Sequence, residues 1–197
     1  MTKKTALHII SSARGNGSYS RALSSAIINK LISSQEIDTV VERDLTKETP
    51  PFIKEDLVGA FYTNPGSVEQ QQLLKYADTV VSDVSNADII VIGTPMYNLG
   101  MSAVLKAWID QLVRYGVTYG YDGDGVRSGL LNGKKIYLAI ASGGRLADWP
   151  NGHEFIASHI EAVIRAYVGL AEIHTFRVEG TVMPGFEPDY QKILAHL

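Results

Sequence analysis

Apolar residues recur along the chain in short runs that alternate with longer amphipathic stretches. Ala6 to Ile10 predicts a first strand. A helix from about Ser20 to Ser33 follows, with Leu23, Ile27 and Leu31 at helical spacing on one face. Thr39 to Arg43 predicts a second strand. The irregular stretch from Asp44 to Gly66, with Pro50, Pro51 and Pro65, holds a short helix around Lys54 to Phe61. Ser67 to Ser85 predicts a helix with Ser67 as its cap. Asp88 to Gly93 is the most apolar run and predicts a third strand, followed by a helix from Met101 to Tyr115. A fourth strand is expected over Lys135 to Ala141, a helix over Gly152 to Val168, a fifth strand over Glu172 to Val178, and a last helix over roughly Pro188 to His196.

Strands that alternate with helices imply a parallel sheet covered by helices on both faces. Five strands so covered fit an α/β three-layer sandwich of flavodoxin-like order 2-1-3-4-5. One segment breaks the alternation: residues 116–133 alternate apolar and polar positions around Gly123 and Gly125, predicting a hairpin inserted before the fourth strand. The glycines there lack the spacing of a nucleotide fingerprint, and no strand leads from them into a helix. With no repeat, low-complexity tract or linker, residues 1–197 are expected to form a single domain.

Composition narrows the function classes. A formal charge of −3, from 18 basic and 21 acidic residues, gives nothing to favour a nucleic-acid or anionic-membrane partner. The absence of cysteine excludes thiolate catalysis, disulfides and Cys-ligated metals. Lys3 and Lys4 precede an apolar stretch too short for a secretory signal, and no window approaches a membrane span, so a cytoplasmic location is expected. His153 and His159 lie six apart on their helix, which does not put two ligands on one face, so no metal site is expected. His8 and His174 fall inside strands and Trp108 on an apolar helix stripe, as structural residues do.

The candidate chemistry sits where strands 1, 3 and 4 end beside one another, the edge at which open α/β sheets collect ligands. The first loop, Ser11 to Ser20, is rich in hydroxyls and contains Gly15 and Gly17. Hydroxyls and N–H groups at a helix N-terminus suit a phosphate, although Ser18 or Ser20 also serves as an ordinary cap. No G-x-x-x-x-G-K-[ST] pattern is present, so an NTPase is not indicated. The third loop, Pro95-Met96-Tyr97-Asn98, offers a rigid proline, a flat aromatic face and an amide. The fourth, Ala141-Ser142-Gly143-Gly144-Arg145, lets backbone approach the edge of a flat ligand. Phosphate at one loop and a ring between two others imply a mononucleotide with a planar heterocycle, a description FMN fits.

Ser12 with Ser18-Tyr19-Ser20, Pro95 to Leu99 with Leu105 to Asp110, Gly116 to Tyr119, Gly133 to Lys135 and the Gly143-Gly144 loop together resemble the FMN-dependent NADH-azoreductases, also described as NADH:quinone oxidoreductases. The resemblance spans most of the chain and implies a flavodoxin-like fold, a homodimer, bound FMN, and NADH or NADPH as co-substrate, with quinones and azo compounds as acceptors by a ping-pong scheme. Carried over by position, Ser12, Ser18, Tyr19 and Ser20 would hold the FMN phosphate. Pro95, Met96, Tyr97, Asn98 and Leu99 would lie along the ring, with Ser142, Gly143 and Gly144 at its other edge. The family often shows Ser-x-Gly-Gly in that loop, whereas Ala141 stands at the serine's place here, which puts a side-chain contact in question. Arg145, Trp149, Tyr119 and Tyr121 are candidates to line an acceptor site, with surface or core packing an equal alternative. No residue is assigned as a catalytic acid or base, because the flavin carries the chemistry. The rival reading is a flavodoxin-type electron carrier, against which the hairpin and the modest charge argue. A phosphate-binding hydrolase lacks a placed nucleophile–His pair.

Overall fold

The computed structural model describes residues 3–62, 67–149 and 154–197. Its strands are β1 (Thr5–Ile10), β2 (Thr39–Asp44), β3 (Ile89–Pro95), β4 (Tyr119–Tyr121), β5 (Arg127–Gly129), β6 (Lys134–Ala141) and β7 (Ala171–Val178). Every residue of β3 is buried, as expected where helices cover both faces of a central strand. The five long strands pair in parallel in the order β2-β1-β3-β6-β7, which is 2-1-3-4-5 once the hairpin strands are set aside. The expected hairpin is present: β4 and β5 pair antiparallel, Tyr119 opposite Gly129, through a turn in which Gly125 takes φ +77°.

Six helices flank the sheet among the described residues: α1 (Tyr19–Ser33), α2 (Glu55–Phe61), α3 (Val68–Asn86), α4 (Ala103–Leu112), α5 (Ile156–Tyr167) and α6 (Tyr190–Ile193). Side chains alternate across each strand, so the core divides into two layers. Leu7, Ile9, Ile90, Ile92 and Leu138 pack with Leu105, Trp108 and Leu112 of α4 and Ile160 and Ile164 of α5. Ala6, Ile89, Val91, Tyr137 and Ala139 pack on the other side with Leu23, Ile27 and Leu31 of α1 and Leu194. Trp108 thus sits in the core, as its helical spacing predicts.

Several boundaries differ from the sequence reading. β3 continues two residues past Gly93, so Pro95 is its last residue rather than part of the following turn. Pro95 lies opposite Ala141, and the pairing runs on through Met96 N–H donating to the Ala141 carbonyl at 2.8 Å. The helix expected over Met101 to Tyr115 is shorter at both ends. Ser102 holds its N-cap position, and beyond Leu112 the N–H of Arg114 donates to Thr118 Oγ1 at 2.9 Å, turning the chain into the hairpin. The start expected near Gly152 falls outside the described residues, and α5 begins at Ile156, its first N–H groups received by the Glu154 carboxylate. The last helix contracts to one turn after the Asp189 cap, whose carboxylate accepts from Lys192 N–H at 3.0 Å.

Candidate functional site

The carboxyl ends of β1, β3, β6 and β7 deliver four loops to one cleft of about 200 Å³. From the first loop come Ser12, Arg14, Ser18, Tyr19 and Ser20. Gly15 turns the chain at φ +56° into a single 3-10 turn, Gly15–Gly17, which leads directly into α1. Ser18 is the N-cap of α1, its Oγ accepting from Arg21 N–H at 3.2 Å and lying 3.2 Å from Ser20 Oγ. The N–H groups of Tyr19 and Ser20, at the first two helical positions, find no partner among the described residues. Buried hydroxyls of Ser12, Ser18 and Ser20 therefore surround free donors at the positive end of a helix dipole.

The β3 loop contributes Pro95, Met96 and Tyr97 to the cleft. Tyr97 and Gly100 exchange both backbone hydrogen bonds, at 2.9 and 3.0 Å, around a two-residue turn with Asn98 at φ +49° and Leu99 at φ +67°. Consecutive left-handed residues define a type I′ turn. Asn tolerates that conformation, whereas Leu costs about 1 kcal/mol to hold there. The turn projects Tyr97, Asn98 and Leu99 to solvent beside the cleft rather than into its floor. The N–H groups of Asn98 and Leu99 are without partners among the described residues.

From β6, Ala141 and Gly143 line the cleft. Ser142 and Gly144 do not. Ser142 is buried, its N–H donates to Val178 and its Oγ donates to the Gly144 carbonyl at 2.7 Å, so the hydroxyl shapes its own loop. Gly144 packs under the Trp149 ring so closely that a Cβ there would stand 2.9 Å from Cζ2. The N–H groups of Gly143 and Gly144 remain free among the described residues.

Sequence reasoning missed Thr181 and Val182, which follow β7 and complete the wall. Thr181 N–H donates to the Ser142 carbonyl at 3.1 Å and Val182 N–H to that of Gly143 at 3.4 Å, so the two loops are zipped together. Strand order alone carries the signal for them, since β7 neighbours β6. Arg14 was also passed over. Of the acceptor-side candidates, Tyr119 and Tyr121 lie away from the cleft, in a tyrosine cluster with Tyr115 and Tyr167 at the hairpin, ring centroids 5.0 to 6.1 Å apart, whereas Trp149 packs against Gly144 of the β6 loop.

Ion pairs steady the ground beneath the first loop. Arg21 of α1 meets Asp44, at the end of β2, at 2.5 Å. Burial pushes the Asp44 carboxyl up, but hydrogen bonds from Arg21 and Thr46 outweigh it and hold it down to about 2. His8, buried in β1, has Nε2 2.8 Å from Ser24 Oγ and Nδ1 3.3 Å from the Glu42 carboxylate. Burial lowers its pKa, and Glu42 offsets only part of that. No cluster of metal ligands occurs among the described residues, and His153 lies outside them. Larger hollows lie elsewhere, one of about 480 Å³ along α3, but its lining (Gln71, Gln72, Lys75 and neighbours) is the solvent face of one helix, where no strand end converges.

Comparisons with known proteins place the chain among relatives of the same fold. A family model described as a flavodoxin-like fold matches residues 4–197. The chain is 39% identical over 180 residues to an FMN-dependent NADH:quinone oxidoreductase of Herminiimonas arsenicoxydans, covering 90% of this chain and 87% of that protein. It is 37% identical over 193 residues to FMN-dependent NADH:quinone oxidoreductase 2 of Colwellia psychrerythraea, covering 89% and 86%. Among solved structures, the azoreductase of Bacillus anthracis str. Sterne superimposes with a TM-score of 0.81 at 27% identity, over 98% of this chain and 93% of that one.

Proposed function

The chain belongs to the flavodoxin-like family that includes the FMN-dependent NADH:quinone oxidoreductases, and from that premise we propose that its cleft binds FMN and passes electrons from NADH to quinones and aromatic azo compounds. It is an oxidoreductase. The observation that carries the site assignment is the convergence of buried hydroxyls and free N–H donors at the start of α1 with an exposed aromatic turn at the end of β3. A dianionic phosphate satisfies the first, and a flat ring the second.

The residues present fit the cofactor. Ser12, Ser18 and Ser20 supply hydroxyls to the phosphate, with the N–H groups of Tyr19 and Ser20 behind them. The cleft is smaller than the roughly 300–1,000 Å³ of a typical ligand pocket, so it encloses the phosphate end and leaves the ring on the open rim. There Met96, Tyr97, Asn98 and Leu99 hold the ring, and the rigid Pro95 fixes the direction of the turn that carries them. When bound, FMN supplies hydride acceptance from a reduced nicotinamide and electron delivery to the second substrate. Free N–H groups at Asn98, Leu99, Gly143 and Gly144 offer donors to the polar edge of the ring, where negative charge develops on reduction. The open rim leaves one face for both substrates in turn, which is the basis for a ping-pong scheme. No side chain is assigned to proton transfer.

We further infer a cytoplasmic homodimer. No helix among the described residues is long and apolar enough to cross a membrane. A groove of about 360 Å³ between α2, α4 and α5, lined by Val58, Phe61, Tyr62, Ile109 and Val163 and edged by Lys106, Asp110 and His159, offers a largely apolar surface to a second copy. Sedimentation of the purified protein checks the dimer.

The test of function is the visible spectrum of the protein reconstituted with FMN, before and after anaerobic NADH. Bleaching within seconds and recovery on adding a quinone is the expected result. Bound flavin that neither NADH nor NADPH bleaches would point instead to an electron carrier serving a protein partner, and failure to bind flavin would overturn the assignment.

A further inference from the structure

We propose that Arg14 is a phosphate-binding residue of the cleft, supplying the countercharge by which the site selects FMN over a flavin lacking the phosphate. The proposal rests on the FMN reading above. A phosphate ester enters the cleft as a dianion, yet the serines that line it are neutral and the chain as a whole carries a net charge of −3. Hydroxyls and a helix dipole lower the cost of that charge without cancelling it. Among the described residues, Arg14 is the one charged side chain lining the cleft.

Its surroundings leave the guanidinium available. Arg21, Arg43 and Arg177 each engage a carboxylate, whereas Arg14 has no such partner within ion-pair distance among the described residues. It rests instead over the Tyr19 ring, Cζ 5.9 Å from the centroid, and Tyr19 is braced edge-on by Phe186 at 5.4 Å. A guanidinium held over a ring keeps its fork of N–H groups free, which is the geometry that grips two phosphate oxygens at once. The backbone of Arg14 is held as well: its N–H donates to Ser12 Oγ at 3.4 Å and its carbonyl accepts from Gly17 N–H at 3.2 Å. The side chain therefore leaves from the same loop that sets the hydroxyls, next to them and not from a distant surface.

The experiment titrates FMN and riboflavin separately into flavin-stripped wild type, Arg14→Gln and Arg14→Lys, following flavin fluorescence at low and high salt, with steady-state KM for NADH measured alongside. In Arg14→Gln the dissociation constant for FMN should rise roughly ten- to a hundredfold and lose much of its salt dependence. Riboflavin binding and the KM for NADH should stay unchanged, and Arg14→Lys should recover part of the loss. Unchanged FMN affinity in Arg14→Gln would overturn the role of Arg14 while leaving the FMN reading intact. Equal weakening of both flavins would reduce Arg14 to a structural residue. A raised KM for NADH with normal FMN affinity would assign it to the dinucleotide. Wild-type protein that binds neither flavin would remove the FMN reading itself, and the proposal with it.

Discussion

The carbonyl of Leu99 accepts a hydrogen bond from Phe155 N–H at 2.8 Å, tying the left-handed turn after β3 to the segment that opens α5. Leu99 at φ +67° is held where a side chain is disfavoured, and the bond to Phe155 is one of the contacts that hold it. Both side chains are exposed, Phe155 more than Leu99. On the proposed FMN reading, a strained, exposed leucine beside the cleft is expected to be kept for contact with the flavin.

Leu99→Gly should therefore separate stability from function. Removing the Cβ relieves about 1 kcal/mol of backbone strain, which raises the melting temperature by roughly 2–4 °C for a chain of this size. FMN retention and quinone turnover should fall at the same time, because the apolar contact and the turn's rigidity are lost. A variant that melts lower than wild type, or turns over normally, would count against strain held for binding.

Two glycines make a contrasting pair. A Cβ on Gly93 would stand 2.5 Å from Ser24 Oγ and 3.0 Å from the Ser20 carbonyl, pressing on the first turns of α1. A Cβ on Gly129 would stand 2.3 Å from Gly169 N, jamming the hairpin against the end of α5. Each alanine variant should lose about 1–3 kcal/mol of stability. Gly93→Ala alone should also weaken FMN binding, since Ser20 lines the cleft and Gly129 does not approach it. Melting curves and flavin titrations on both variants check the contrast.

The same local crowding explains what was legible in the sequence and what was not. Ile89 to Ile92 announced a strand buried on both faces, and Ser67 announced a cap, because each signal is complete within a few residues. The convergence of Ser12, Ser18, Ser20 and Pro95 to Tyr97 on one cleft was legible because strand order brings their loops to one edge. Thr181 and Val182 carry no chemistry that sets them apart, and they reach the wall only through backbone hydrogen bonds to Ser142 and Gly143. Leu99 at positive φ runs against its own preference, so nothing local predicts it. The early end of α4 depends on Thr118, which accepts the Arg114 N–H from across the turn.

Ser18 has two duties that a pair of substitutions can divide. As N-cap it receives the Arg21 N–H, and as a lining residue it presents the same hydroxyl to the cleft. Ser18→Ala should cost about 1 kcal/mol of stability, whereas Ser18→Gly should cost only a few tenths, glycine being a tolerated cap. Both should weaken FMN binding by a similar factor and leave riboflavin unaffected. If FMN affinity instead tracked stability across the pair, the hydroxyl would be acting only as a cap.

Acid should weaken the fold over two pH ranges, because of the buried groups beneath the first loop. The folded chain holds the His8 pKa below the ordinary imidazole value of 6.5, chiefly because burial disfavours the imidazolium; Arg21 adds to this, and the Glu42 carboxylate opposes it only in part. Below pH 6.5 the unfolded chain takes up this proton first, so the stability it represents is complete above 6.5 and drains away as pH falls toward the folded value. Asp44 acts in the same direction lower down. Its carboxyl titrates at about 2 when folded against 3.8 otherwise, so its contribution is complete above 3.8 and is lost as pH falls toward 2. That contribution is about 2 kcal/mol. The urea midpoint should be level just above pH 7, decline below 6.5, and decline again below 4. His8→Leu should abolish the first decline while keeping the second, whatever its effect on overall stability, because the slope with pH counts protons and not contacts. A midpoint that stays level from pH 7 to pH 5 in the wild type would show that Glu42 cancels the burial of His8 in full.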